Sequence, residues 1–427
     1  MRYANDRLSH LRWLALALAL FASALPASAK RSADGFADRL QGTQRAGFEA
    51  WYRAQIFHGA ALDAYWASVE KKRRLRRAKR RQRRAFTDSD YVANWPPTYR
   101  GPKISKKLIK RWRTFRDANK PSKKRRRKEL PGLSVYLASA RRHFDFAPER
   151  IPEAEFKRRY AREALSLGLT KDQVVRVYAL ETGGRGTADM QAGISPTTGK
   201  GRPISSALGY AQLLAANSVN VLSKHGPKFV KRLSRMVQRE SSSRRRQDLQ
   251  FKLDVLRKMV RTARSVPYKW SRHVAFAKTS RGRALHVMNM DGVIGPWMQV
   301  VKLADLKRMA ARKGRAQLSG AEIELMNLAG PATGLEMMRK TGIDKPTTNF
   351  FSRRAYYRNT VVRNKDSRGL LEALERRMRA GIKNKGAQEF IAMFDEVLGV
   401  RRTTAPSVPS THAFGFVPRA FRPADSR

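Results

Sequence analysis

The chain has 427 residues, 41% of them hydrophobic, and 90 Lys and Arg against 34 Asp and Glu, for a formal charge of +56. That length allows two or three domains around a substantial core, and that charge predicts adhesion to polyanions: nucleic acid, anionic head groups or acidic wall polymers. No cysteine is present, which excludes disulfides, thiolate metal sites and a lipid-modified N-terminal Cys.

Arg2, Arg7 and Arg12 precede an apolar run from Trp13 to Leu25, and Pro26-Ala27-Ser28-Ala29 follows it. Charge, apolar run and small residues in that order are the plan of a secretory signal, with the cut after Ala29. The run is short for a membrane span, and no later run is as hydrophobic. Residues 1–29 are therefore expected to be a signal peptide. The mature chain is expected in the periplasm, with no transmembrane segment.

Residues 30–129 are expected to form a basic, helical and partly disordered region. Phe48, Trp51, Tyr52, Ile56, Leu62, Tyr65, Trp66 and Val69 recur at helical spacing, which predicts one long helix or a helical pair over about 36–85. Its end, Lys71 to Arg84, is nearly all Lys and Arg: a solvated basic helix or a polyanion-binding arm. Pro and Gly within 87–104 predict an irregular connector. A second basic run, Lys103 to Lys128, carries Trp112 and Phe115 at helical spacing. Given export, anionic envelope polymers are the expected partners of 71–128, and nucleic acid is not.

From residue 130 the composition becomes globular, and 130–400 is expected to be one all-α domain. Helices are predicted over 131–146 and 152–167, with a short one opened by the capping box Thr170…Gln173 and stopped by Gly183-Gly184. A polar loop covers 185–204, and Ser205 or Ser206 is the expected N-cap of a helix carrying Gln212. Further helices are predicted over 218–264 with a break at Ser241-Ser-Ser, over 283–313, from Ser319 with its capping partner Glu322 to Leu328, and over 369–380 and 386–399. The tail, 401–427, is expected to be flexible. The seven histidines are scattered without ligand-like spacing, so neither a metal nor a cofactor is expected.

Within the short helix, Glu181 follows Val174, Val177 and Tyr178 by seven, four and three residues, which places it on their apolar face. The negative end of the helix dipole and an apolar surround both disfavour a carboxylate there. Both raise its pKa, as a general acid near neutral pH requires. A Glu at a frayed helix end, reaching to water or an Arg, has the same position. Asp189 and Asp291 are the nearest further carboxylates of interest, and both have the character of turn residues.

Three segments taken in order resemble the soluble lytic transglycosylase family, lysozyme-like enzymes that cleave peptidoglycan. Glu181-Thr-Gly-Gly is similar to that family's Glu-Ser-Gly-Gly. Ala207-Leu-Gly-Tyr-Ala-Gln212 is similar to its second motif, a Gly followed three residues on by Gln. Met326-Asn327-Leu-Ala-Gly-Pro resembles its Tyr-Asn-Ala-Gly-Pro turn. The chain departs from the pattern in a longer loop between Glu and Gln, in Ala211 before the Gln, and in Met326 where an aromatic is usual. The resemblance implies a lysozyme-like helical core at about 130–360. It implies Glu181 as sole general acid and base, with Gly209, Tyr210, Gln212 and Asn327 at the substrate. Tyr356 or Tyr357 would replace the missing aromatic. It also implies cleavage between N-acetylmuramic acid and N-acetylglucosamine with a 1,6-anhydro product. Two other readings fit parts of the sequence: a non-catalytic cationic wall-binding protein on a degenerate lysozyme-like fold, and, were the N-terminus not a signal, a nucleic-acid binder.

Overall fold

The computed structural model describes residues 27–119 and 129–400. The expected signal run at 13–25 and the expected tail at 401–427 lie outside the described residues. The described chain is all-α: helix follows helix, and β pairing is limited to isolated bridges such as Gln191 with Leu208 and Leu208 with Leu213.

The N-terminal helices are α1 (Ala27–Ala37), α2 (Gly42–Arg81) and α3 (Lys106–Ala118). They share a small aromatic cluster in which Phe36 and Phe48 close around Trp112, at 5.3 Å from each ring. Farther along, α2 leaves that cluster. Its Trp66 and Val69, with Phe86 and Tyr91 of the connector, enter the main core. The boundary expected near 130 therefore cuts through packed side chains rather than between domains.

The basic end of α2 is also not a free arm throughout. Arg76 is buried; its Nε donates to Glu336 at 2.7 Å and its Nη1 and Nη2 to the carbonyls of Asp90 and Asn349. Arg80 donates to the same Glu336, and Lys79 pairs with Asp90 at 2.7 Å. A buried guanidinium is tolerated because all its nitrogens find acceptors.

The rest builds two adjoining cores. The first holds α5 (Glu153–Ser166), α6 (Lys171–Thr182), α12 (Gly320–Ala329), α13 (Pro331–Met337), α15 (Ser367–Ile382) and α16 (Lys385–Leu398). The second holds α4 (Leu133–Phe144), α7 (Ala215–Arg239), α8 (Ser243–Arg264) and α10 (Ser280–His286), with α9 (Trp270–Phe276) beside it. The helix α11 (Ile294–Ala311) runs through both: Trp297 and Met298 pack into the second core, Leu303 and Leu306 into the first. Its first two turns are buried throughout, and its charged residues Lys302, Asp305, Lys307 and Arg308 fall in the second half, where burial is partial. The remaining helix, α14 (Arg353–Arg358), carries Tyr356.

The capping boxes read from Thr170 and Ser319 are both formed. One helix start differs. Residues 205–214 are a turn, and α7 begins only at Ala215. Ser206 still contributes, since its Oγ accepts from the Ala215 amide at 3.1 Å, but from nine residues upstream rather than as an N-cap.

Candidate active site

Glu181 lies in the last turn of α6. That turn ends where the two glycines following Thr182 act differently. Gly183 is left-handed, φ +64°, with open space where a Cβ would stand. Gly184, φ +69°, lies against α15, and a Cβ there would meet the Gly381 carbonyl oxygen at 2.0 Å. The first glycine stops the helix; the second lets it dock. Asn384 fixes the turn by donating to the Gly183 carbonyl at 2.8 Å.

On the other side stands α12, whose register follows from its Ser319 cap. Glu324 and Asn327, three residues apart, share one face, and both meet Glu181. The Asn327 amide donates to Glu181 Oε1 at 3.2 Å and to Glu324 Oε2 at 3.2 Å. The two carboxyls are themselves within hydrogen-bonding reach of each other. From α11, Lys302 donates to Asn327 Oδ1 at 2.5 Å. The Asn217 amide of α7, oriented to accept, lies 3.2 Å from the same Lys302 nitrogen.

Glu324 is buried, at 4% exposure, whereas Glu181 is half-buried with its carboxyl closely surrounded by protein. Loss of water pushes the Glu181 carboxyl well above the usual range, and the charge of Glu324 pushes it further. Lys302 and Asn327 pull the other way without cancelling that rise. Burial raises Glu324 as well, and it lowers the Lys302 ammonium against the attraction of both acids. Two adjacent carboxyls cannot both ionise cheaply. The surround therefore favours the protonated form of Glu181, and Lys302 attracts the charge of both acids.

The loop carrying the second motif sits on α11. Gln299, fully buried, accepts from the Ala211 amide at 3.2 Å and donates to the Asn289 carbonyl at 3.0 Å. A Cβ on Gly209 would meet that Gln299 amide at 2.5 Å, and Gly209 has φ +75°. Gln212, expected on a helix, is instead left-handed at φ +40°. Its Nε2 ties the turn by donating to the carbonyls of Met190 at 3.1 Å and Gly209 at 2.8 Å.

Two expected substrate contacts are core residues. Tyr210 is buried at 1% exposure; its hydroxyl donates to Glu153, and its ring meets Tyr178 edge-on at 5.0 Å. Glu153 accepts from the Ala188 amide at 2.9 Å, so Tyr210 holds the long loop down. Tyr356 is equally buried, packs on Trp66 at 5.6 Å and gives its hydroxyl to Asn364. It anchors α2, with no surface left for a sugar. Tyr357, 40% exposed, packs on Tyr356 with ring centroids 5.1 Å apart.

The other acids are structural, as their turn character predicted. Asp189 pairs with Arg150 at 2.9 Å. Asp291 accepts from the Val293 and Ile294 amides at the start of α11 and pairs with Lys252. Sequence reasoning missed Glu324, Lys302 and Gln299. The available signal for Glu324 was its spacing of three from Asn327 on a helix already fixed by a cap.

No family model, no curated protein and no solved structure matches the chain.

Proposed function

We propose that this protein is a peptidoglycan lytic transglycosylase with a lysozyme-like helical core. In this reading it is exported to the periplasm and uses Glu181 as its sole general acid and base. The observation that supports the reading is the Glu181 carboxyl set beside Glu324, Asn327 and Lys302, at the end of the helix that bears the Glu-Thr-Gly-Gly motif, where its surround favours the protonated form.

The chemistry follows from that proton. Glu181 donates it to the glycosidic oxygen as the C1–O bond of N-acetylmuramic acid breaks. The sugar's 6-hydroxyl oxygen bonds to C1, and its proton returns to the Glu181 carboxylate. The product is the 1,6-anhydro sugar; no water is consumed, and the enzyme regains its starting state. A carboxyl that must give and then take a proton works best with a pKa near the working pH.

Glu324 is no second catalytic carboxylate in this scheme. Hydrolases hold their two carboxyls about 5–5.5 Å apart when retaining and about 6.5–9.5 Å apart when inverting, so that the sugar fits between them. Carboxyls that lie within hydrogen-bonding reach of each other leave no room for a sugar between them. Glu324 acts through Glu181, and its charge favours return of the proton. Gln212 and Asn327 are the proposed substrate-facing residues, while Gly209 gives its close approach to the buried Gln299 instead. Anionic envelope polymers would meet the exposed cations of 71–128, among them Arg74, Arg77 and Arg81.

A second reading, a non-catalytic cationic wall-binding protein, is favoured by the +56 charge and by the structural use of Tyr356. Digestion of purified sacculi by wild type and Glu181→Gln separates the two. Sedimentation with sacculi without turnover supports the second. A mature N-terminus at Lys30 tests the compartment.

A further inference from the structure

A cleft of about 360 Å³ opens in the second core, where the ends of α4 and α8 meet α9 and α10. Its volume is in the range of small-molecule sites. Lys258 and Arg261, three apart on α8, line one side, and Arg281 of α10 enters from another. Phe144 and Phe276 form apolar wall, and Thr262 and Ser265 add hydroxyls. No acid lines it. None of the three cations has a carboxylate at ion-pair distance among the described residues; Asp254, one turn before Lys258, pairs with Arg257 at 3.0 Å.

The cleft at Lys365, Arg376 and Arg377 also lacks a lining acid, but Glu372 lies 3.7 Å from its Arg376. The cleft formed by Arg73, Arg76, Arg77 and Arg80 contains Glu336, and the one formed by Arg159, Arg162, Arg232 and Arg245 contains Glu240. Here like charges converge over apolar walls with no carboxylate in the lining. An anion entering from solvent relieves their repulsion. A carboxylate is a monoanion that one Arg can satisfy. Two guanidinium forks, an ammonium and two hydroxyls suit a tetrahedral dianion.

We propose that this cleft binds a dianionic phosphoryl group carried on an apolar body, separately from the Glu181 site. His143 reports on it. Its ring lines the cleft and lies 3.0 Å from the Ser280 hydroxyl. Slight burial and the charges of Arg142, Arg281 and Arg283 hold the imidazole below its usual range. A bound dianion offsets those charges and raises it.

The test is a titration of the full chain, 13C-labelled at its histidines, with inorganic phosphate and with phenyl phosphate at constant ionic strength. The expected result is saturable binding of phenyl phosphate, tighter than of inorganic phosphate, with a rise in the His143 pKa. Replacement of Lys258 and Arg281 together by Gln weakens it tenfold or more; replacement of Lys110 and Arg113, exposed on α3 and an equal charge loss elsewhere, leaves it unchanged. Equal binding of the two probes would limit the site to free phosphate and overturn the apolar part of the assignment. No saturation, or equal weakening by both double variants, would reduce the binding to general attraction and overturn the site.

Discussion

Glu181 and Glu324 are joined through one amide: Asn327 Nδ2 lies 3.2 Å from an oxygen of each. They lie on different helices 143 residues apart in sequence, and neither environment is complete alone. The raised pKa of Glu181 comes from burial first and from Glu324 second, with Lys302 opposing.

The two neighbours should therefore move the pH dependence in opposite directions. A general acid works while protonated, so the alkaline limb of kcat/KM reports the Glu181 pKa in the free enzyme. Glu324→Gln removes a negative neighbour and should shift that limb to lower pH. Lys302→Met removes a positive one and should shift it to higher pH. Shifts of the same sign in both variants would contradict the opposing influence of Glu324 and Lys302 on Glu181.

The glycines after Thr182 predict unequal costs for the same substitution. Gly183→Ala meets open space and should cost about 1–2 kcal/mol, the left-handed penalty alone. Gly184→Ala carries that penalty and also drives a methyl against the Gly381 carbonyl, 2.0 Å from the ideal Cβ position. It should cost distinctly more and displace α15. Denaturant unfolding of the two variants measures the difference.

Much of this was legible in sequence. Both capping boxes formed as their spacing predicted, and the break at Ser241-Ser-Ser separates α7 from α8. The Gln212 segment was not legible, because its apolar run suits a helix equally well. A tertiary contact decides it: Gln299 from α11 takes the Ala211 amide, and Gly209 is crowded against the same side chain. Tyr210 and Tyr356 looked like site residues because a Tyr in sequence does not show whether its hydroxyl meets ligand or protein. The role of Arg76 was hidden for a similar reason. Its acceptors Glu336 and Asn349 lie 260 and 273 residues away.

That seam predicts that the N-terminal third cannot be removed cleanly. Arg76→Ala leaves Glu336 with Arg80 alone and two backbone acceptors unpaired. Breaking such a buried pair should cost about 3–5 kcal/mol. A fragment covering 130–400 should lack cooperative thermal unfolding, since it also loses Trp66, Val69 and Tyr91 from the core. Calorimetry checks both.

His286 supplies a stability term with a defined pH window. It is buried, its Nε2 donates to the Ser206 carbonyl and its Nδ1 accepts from the Ser218 hydroxyl, each at 2.7 Å, and burial pushes it down to about 4. Below the unfolded pKa of 6.5 the unfolded chain binds a proton that the folded chain refuses. This contribution is full above pH 6.5, falls as pH drops, and levels off near pH 4. A shift from 6.5 to about 4 corresponds to about 3 kcal/mol. The stability gap between wild type and His286→Gln should narrow by about that amount between pH 7 and pH 4, as read by urea unfolding.

The central claim is that Glu181 is an acid–base catalyst acting on glycan strands, and mass spectrometry of muropeptides after incubation with purified sacculi tests it most directly. The account predicts 1,6-anhydro muropeptides from wild type and a loss of at least about 10²-fold in Glu181→Gln. Release that is absent from wild type, or undiminished in Glu181→Gln, would contradict it.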